Sequence, residues 1–282
     1  MPLTTTAELL REAARRRTGL GAFNVVTLEY AEAIVTGAEA ADRPVILQLS
    51  ENAARFHAGR LRPIAAAMRE LAAASSVPVS LHLDHVEDTD LLHAAADAGF
   101  SSVMVDAGRL PYEENVAATR EAADWAHAHG LSVEAELGYV GGKETQVASA
   151  HDAGVRSEPT QAAEFVAATG VDALSVAVGI SHAMQERTAR LDDELIAALY
   201  AAVPVPLVLH GSSGVAEAEL ASAVAAGMTK VNVGTILGTA YTRTVRELLD
   251  GSPELTDPRA YIAPARTAVA EVVTGFLRVV AP

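Results

Sequence analysis

Eight short apolar runs, rich in β-branched residues, recur along the chain at 21–26, 44–50, 77–84, 101–106, 131–137, 173–179, 205–210 and 228–233. Between them lie stretches with helical periodicity, at 27–41, 62–75, 88–98, 115–129, 160–169, 192–202 and 216–226. Strict alternation of this kind implies parallel strands joined by right-handed crossovers. Gly99, Gly130, Gly170 and Gly227 fall where helices should end in a left-handed cap before the next strand. Eight units favour a closed sheet over an open doubly wound one, and no glycine-rich dinucleotide fingerprint follows the first run. The expected fold is therefore α/β, a (β/α)8 TIM barrel forming a single domain over 1–282. The insert at 138–158, with Gly141-Gly142, reads as a loop over the site, and 252–282 as a Pro-rich turn followed by a closing helix. The segment up to Arg17 reads as a helix capped by a threonine run rather than an export signal.

Composition narrows the chemistry. There is no cysteine, so a metal could be held only by His, Asp, Glu or backbone oxygen. A formal charge of −15 argues against a nucleic-acid partner, which needs a basic face to displace counterions. It also requires any phosphate site to be local, built from backbone N–H groups, hydroxyls and one or two placed cations. No run approaches the roughly 20 apolar residues of a membrane span, so a cytoplasmic protein without membrane contact is expected.

In a barrel of this type chemistry belongs at the C-terminal ends of the strands. Polar residues collect there: Asn24, Ser50, Asp84-His85, Asp106, Glu134 and Glu136, His182, His210-Gly211 and Asn232, in strand order. Each histidine alone reads as an ordinary hydrogen-bonded residue. Together, His85, His182 and His210 lie on strands three, six and seven, which meet only if the sheet closes, and three imidazoles around an open position make a catalytic metal site. Asp84 is either a general acid/base or a carboxylate orienting the adjacent imidazole. His82 shares the parity of Asp84 but lies deeper, where a buried supporting role is expected. Of the two lysines, Lys143 falls in the insert and Lys230 shares the face of Asn232, and neither sits at a convincing Schiff-base position.

Leu83-Asp84-His85, Ser102-Val103-Met104-Val105-Asp106, Val133-Glu134-Ala135-Glu136-Leu137-Gly138 with Gly141-Gly142, Leu209-His210-Gly211-Ser212-Ser213-Gly214 and Lys230-Val231-Asn232-Val233 together resemble class II fructose-bisphosphate aldolases. The likeness runs from Ala22-Phe23-Asn24 to Asp257-Pro258-Arg259 and lies nearest the short fructose- or tagatose-bisphosphate subgroup. It implies a catalytic zinc on His85, His182 and His210, a second or alternate divalent position at Asp106 and Glu136, and a monovalent cation. It further implies that Asp84 handles the hydroxyl proton at the cleaved carbon and that Glu144 moves the proton at the carbon left behind. Gly211, Ser213, Asn232 and Thr235 match a cradle for one phosphate, with Asn24, Ser50 and Ala183 as further substrate contacts. Arg259 matches an arginine that reaches a neighbouring subunit, implying a homodimer or homotetramer. The implied activity is reversible cleavage of a ketose 1,6-bisphosphate to dihydroxyacetone phosphate and an aldehyde.

The chain departs from the family where substrate is selected. Ala183 stands where a glycine is usual, Met184-Gln185-Glu186-Arg187 replaces a stretch that often carries a lysine, and Val86 replaces a second histidine. An aldolase of a modified keto-sugar phosphate is the nearest alternative. A barrel metallohydrolase and a non-catalytic sugar-phosphate binder are the more distant ones.

Overall fold

Strand β1 (Leu20–Asn24) shows the rule by which the sheet is buried on both faces: Leu20 and Ala22 face inward, while Phe23 packs outward against helices. Period-two alternation continues around the sheet, placing Ile46, Ala173 and Val208 inside and Leu47, Leu174 and Leu209 outside. In the computed structural model, which describes residues 2–137, 156–179 and 190–282, the eight strands form a closed parallel barrel in sequence order, the last pairing back onto β1. The expected (β/α)8 barrel is thus the fold of the chain.

Helix α1 (Thr6–Arg16) precedes β1 and seals the barrel floor, with Leu9, Leu10 and Ala13 packed on the inward residues. Its Thr5–Glu8 capping box satisfies two of the N–H groups that a helix start leaves open. After β1 come α2 (Leu28–Ala41), β2 (Val45–Ser50), α3 (Glu51–Phe56), α4 (Leu61–Ala74) and β3 (Val79–Val86). The chain continues through α5 (Thr89–Ala98), β4 (Ser102–Val105), α6 (Tyr112–Ala128) and β5 (Ser132–Glu136). Then follow α7 (Pro159–Thr169), β6 (Ala173–Ser175), α8 (Asp193–Ala202), β7 (Leu207–Leu209), α9 (Glu217–Ala226) and β8 (Met228–Val233). Two long helices, α10 (Thr235–Gly251) and α11 (Arg259–Val280), end the chain.

Helix α11 packs along α2, where Gly37 permits close contact: a Cβ there would lie 2.6 Å from the Ala270 carbonyl oxygen. The last turn of α11 is tied to the barrel by Gly19 N–H donating to Val280 O at 2.7 Å. Strands six and seven are shorter than their apolar runs suggest, three residues each. Helix α3 follows β2 directly: the Ser50 hydroxyl accepts from the Ala53 N–H at 3.2 Å and caps it. Most of the 138–158 insert lies outside the described residues.

Candidate active site

Alternation along a strand should send Asp84 and His85 to opposite faces, yet a carboxylate oxygen of Asp84 and ring nitrogens of His85 and His210 lie within 4.8 Å of one another. A register shift between Leu83 and Val86 and a left-handed backbone at His85 (φ 49°) bring both neighbours into the barrel mouth. A positive φ is costly for a residue with a Cβ, and such strain is found where function holds it.

Two carboxylates fix the two imidazoles. His85 donates from Nδ1 to Asp106 Oδ2 at 2.7 Å, which leaves Nε2 on the side of Asp84, 4.0 Å from its Oδ2. His210 donates from Nε2 to Glu134 Oε1 at 2.9 Å, which makes Nδ1 the lone-pair nitrogen. The rings meet edge to face, centroids 5.0 Å apart. Burial disfavours charge on His85, but the Asp84 carboxylate and the bond to Asp106 outweigh it and push the imidazole up to about 10. Burial also raises Asp84, with His85 and Lys230 pulling the other way. Burial alone would raise Asp106, but the His85 hydrogen bond holds it below the usual carboxylate range. His82 is 1% exposed, bonds Ser102 Oγ through Nδ1 at 2.7 Å, and is kept neutral by burial and by Lys230. It therefore occupies the buried supporting place its parity suggests.

A cavity of about 320 Å³ opens above these groups, running from the β7 and β8 ends across β1 to β2. At one end it is lined by Gly211, Ser213, Asn232 and Thr235, beside the start of α10. Gly211 takes a left-handed turn (φ 71°), and Ser213 Oγ accepts from the Ile236 N–H at 3.2 Å, tying the β7 loop to that helix start. A helix N-terminus flanked by hydroxyls is a ready anion site. Asn24 and Ser50 line the other part of the cavity. Among the described residues no Lys or Arg lines it.

Arg259 is carried at the start of α11, fully solvent-facing and paired with Asp257 at 2.8 Å, and it does not line its own cavity. Glu136 is buried at the end of β5. Glu144, His182 and Ala183 lie outside the described residues. Sequence reading missed Gln48, which lines the cavity and donates to Asn24 Oδ1 at 2.8 Å. A lone amide inside the apolar β2 run, on the parity of Ser50, was the available signal. It also missed Tyr30, whose phenol burial and Tyr241 push up to about 12, keeping it a neutral wall of the cavity.

The family model for class II fructose-bisphosphate aldolase matches residues 4–281. The chain belongs to this family. It is 39% identical over 281 residues to the fructose-bisphosphate aldolase of Geobacillus stearothermophilus, covering 99% of this chain and 96% of that protein. It is 37% identical to the fructose-bisphosphate aldolase of Staphylococcus aureus, covering 99% of this chain and 97% of that one. Among solved structures, the YdjI aldolase from Escherichia coli K12 superposes with a TM-score of 0.86 at 31% identity, covering 99% and 97% of the two chains.

The protein is thus a class II aldolase, a carbon–carbon lyase acting on a phosphorylated sugar, from a family that is generally metal-dependent. The residues fit a divalent metal. Two imidazoles, each hydrogen-bonded to a carboxylate that sets its orientation, face one space, as metal-binding histidines do. Asp84 Oδ1, Gln48 Oε1 and Asn232 Oδ1 are buried side-chain oxygens with no hydrogen-bond partner among the described residues, and all three residues line the cavity of this aldolase. No helix among the described residues is long and apolar enough to cross a membrane.

Proposed function

We propose that this aldolase reversibly cleaves a ketose 1,6-bisphosphate of the fructose or tagatose type to dihydroxyacetone phosphate and an aldehyde such as glyceraldehyde 3-phosphate, with zinc as its metal. The observation that carries this reading is the convergence of a ring nitrogen of His85, a ring nitrogen of His210 and a carboxylate oxygen of Asp84 on one space, in a cavity that reaches the start of α10. His182 completes the ligand set in this reading, and Asp106 and Glu136 supply an alternate divalent position. Bound zinc acts as a Lewis acid for the charge that develops beside the substrate carbonyl as the carbon–carbon bond breaks.

The protein's own groups divide the remaining work. Gly211, Ser213, Asn232 and Thr235 hold the phosphate of the dihydroxyacetone half, so that the bond to be broken lies over Asp84. In the cleavage direction Asp84 takes the hydroxyl proton of the carbon that becomes the aldehyde. The electron pair stays with the other fragment, and Glu144 returns a proton there. Burial of Asp84 favours its neutral form and so suits a carboxyl that must hold a proton during turnover. Asn24 and Ser50 contact the sugar along the cavity, Ala183 contributes a backbone N–H, and Arg259 serves the cavity of a second copy in a homodimer or homotetramer. A monovalent cation beside the phosphate and a cytoplasmic location complete the reading.

The relatives named fructose-bisphosphate aldolase make fructose 1,6-bisphosphate the first substrate to test. The stretch Met184-Gln185-Glu186-Arg187 supports a second reading, a modified keto-sugar phosphate, because an expected lysine is missing there. Exchange of the dihydroxyacetone phosphate C–H proton into heavy water tests the chemistry without knowledge of the aldehyde. Exchange by zinc-replete protein that stops on chelation is the expected result. Zinc-replete protein that catalyses no exchange overturns the mechanism.

A further inference from the structure

Lys230 is one of two lysines among 21 basic residues, and its side chain is fully buried inside the barrel. Its Nζ lies 2.7 Å from Glu134 Oε2, and the other oxygen of that carboxylate, Oε1, takes the Nε2–H of His210 at 2.9 Å. The three groups come from β8, β5 and the end of β7, so only barrel closure brings them into line. Glu134 is 3% exposed, and a carboxylate in so dry an interior needs a counter-charge. Lysine supplies it as a compact point charge on a thin stem, where the planar guanidinium of arginine would need far more room.

We propose that Lys230 is a positioning residue for the metal, acting through Glu134 on His210. The ammonium holds one oxygen of Glu134 in place; the other takes the Nε2–H, fixes the ring's tautomer and orientation, and makes Nδ1 a more basic ligand. The inference rests on the reading that His210 ligates zinc. It gives the barrel's buried lysine a purpose in an enzyme that forms no imine with it.

Zinc affinity, measured by competition with a chromophoric chelator, tests the link independently of activity. Lys230→Met is expected to weaken zinc binding about 10–100-fold. The double variant Lys230→Met/Glu134→Gln removes both charges, so it leaves no unpaired ion to unfold the barrel. It is expected to lose at least about tenfold, because an amide replaces the carboxylate. Ser102→Ala removes the hydroxyl that bonds His82, whose Nε2 lies 3.8 Å from Glu134 Oε2, but keeps both hydrogen bonds of Glu134, and should lose far less affinity than either of those variants. Long-range ¹H–¹⁵N correlation of the zinc-loaded wild type should place the metal on Nδ1 of His210.

Wild-type affinity in the double variant, equal loss in Ser102→Ala, or zinc on Nε2 of His210 each overturns the inference while leaving a zinc aldolase intact. Failure of the wild type to bind zinc at all overturns the underlying reading instead.

Discussion

Asp106 Oδ2 holds the Nδ1–H of His85 at 2.7 Å, and Nε2 faces the cavity only while that bond sets the ring. Replacing Asp106 with Asn keeps an acceptor of the same shape but removes its charge. Asp106→Asn is therefore expected to weaken zinc affinity about 10–100-fold. Chelator competition measures it, and unchanged affinity would show that Asp106 does not orient His85.

The same pair gives the metal-free protein a pH signature. His85 titrates at about 10 in the fold against 6.5 for an ordinary imidazole. A raised value means that the protonated ring stabilises the fold fully below about pH 6.5, and that this contribution is lost as pH rises through about 10. Denaturant midpoints of metal-free protein should fall across that window, and His85→Gln should flatten the fall. Zinc must also displace this proton, so binding near pH 8 should release one from His85, and the release should vanish above about pH 10. A pH-stat titration reads it directly.

Asp84 separates bond cleavage from proton exchange. Removing a general acid/base costs about 10²–10⁴ in rate. Asp84→Asn should lose triose phosphate release from fructose bisphosphate by about that factor while still exchanging the dihydroxyacetone phosphate C–H proton. Equal loss of both activities at full zinc occupancy would mean that Asp84 serves the metal rather than the hydroxyl.

Much of this architecture can be read from the sequence because barrel strands and helices carry opposite periodicities. The eight apolar runs contain the eight observed strands almost in full, with only the first residue of β1, Leu20, and the end of β3 falling outside their runs, and β8 coincides with its run at 228–233. Strand six falls short because apolar residues continue past the point where the ladder ends, as at Val176 and Val178, both buried outside the strand, and strand seven begins only at Leu207, after Pro206, which has no N–H to give a ladder. The positions of Asp84 and His85 follow from the backbone instead. No side-chain pattern announces a left-handed residue at His85 or the register shift around it. The reach of Lys230 to Glu134 was equally hidden, since parity places both inward but only the closed diameter sets their separation.

Packing far from the mouth yields a control. A side chain at Gly37 would meet the Ala270 carbonyl and Val273 at 2.6 and 2.7 Å, on two long helices with little freedom to part. Gly37→Val should destabilise the protein by about 1–3 kcal/mol through overpacking, lowering the thermal midpoint by several degrees with zinc affinity unchanged. Zinc loss in this variant would mean that the helical layer and the mouth are coupled.

The cavity wall, without Lys or Arg among the described residues, has a kinetic side in a protein of charge −15. A doubly phosphorylated sugar approaching it meets repulsion at long range and finds favourable dipoles only within a few ångströms. The approach should quicken with added salt, because ions screen the repulsion beyond a Debye length of about 10 Å at 0.1 M without reaching the donors inside. Such an enzyme gathers its substrate by fit at the last step and leaves the encounter to diffusion.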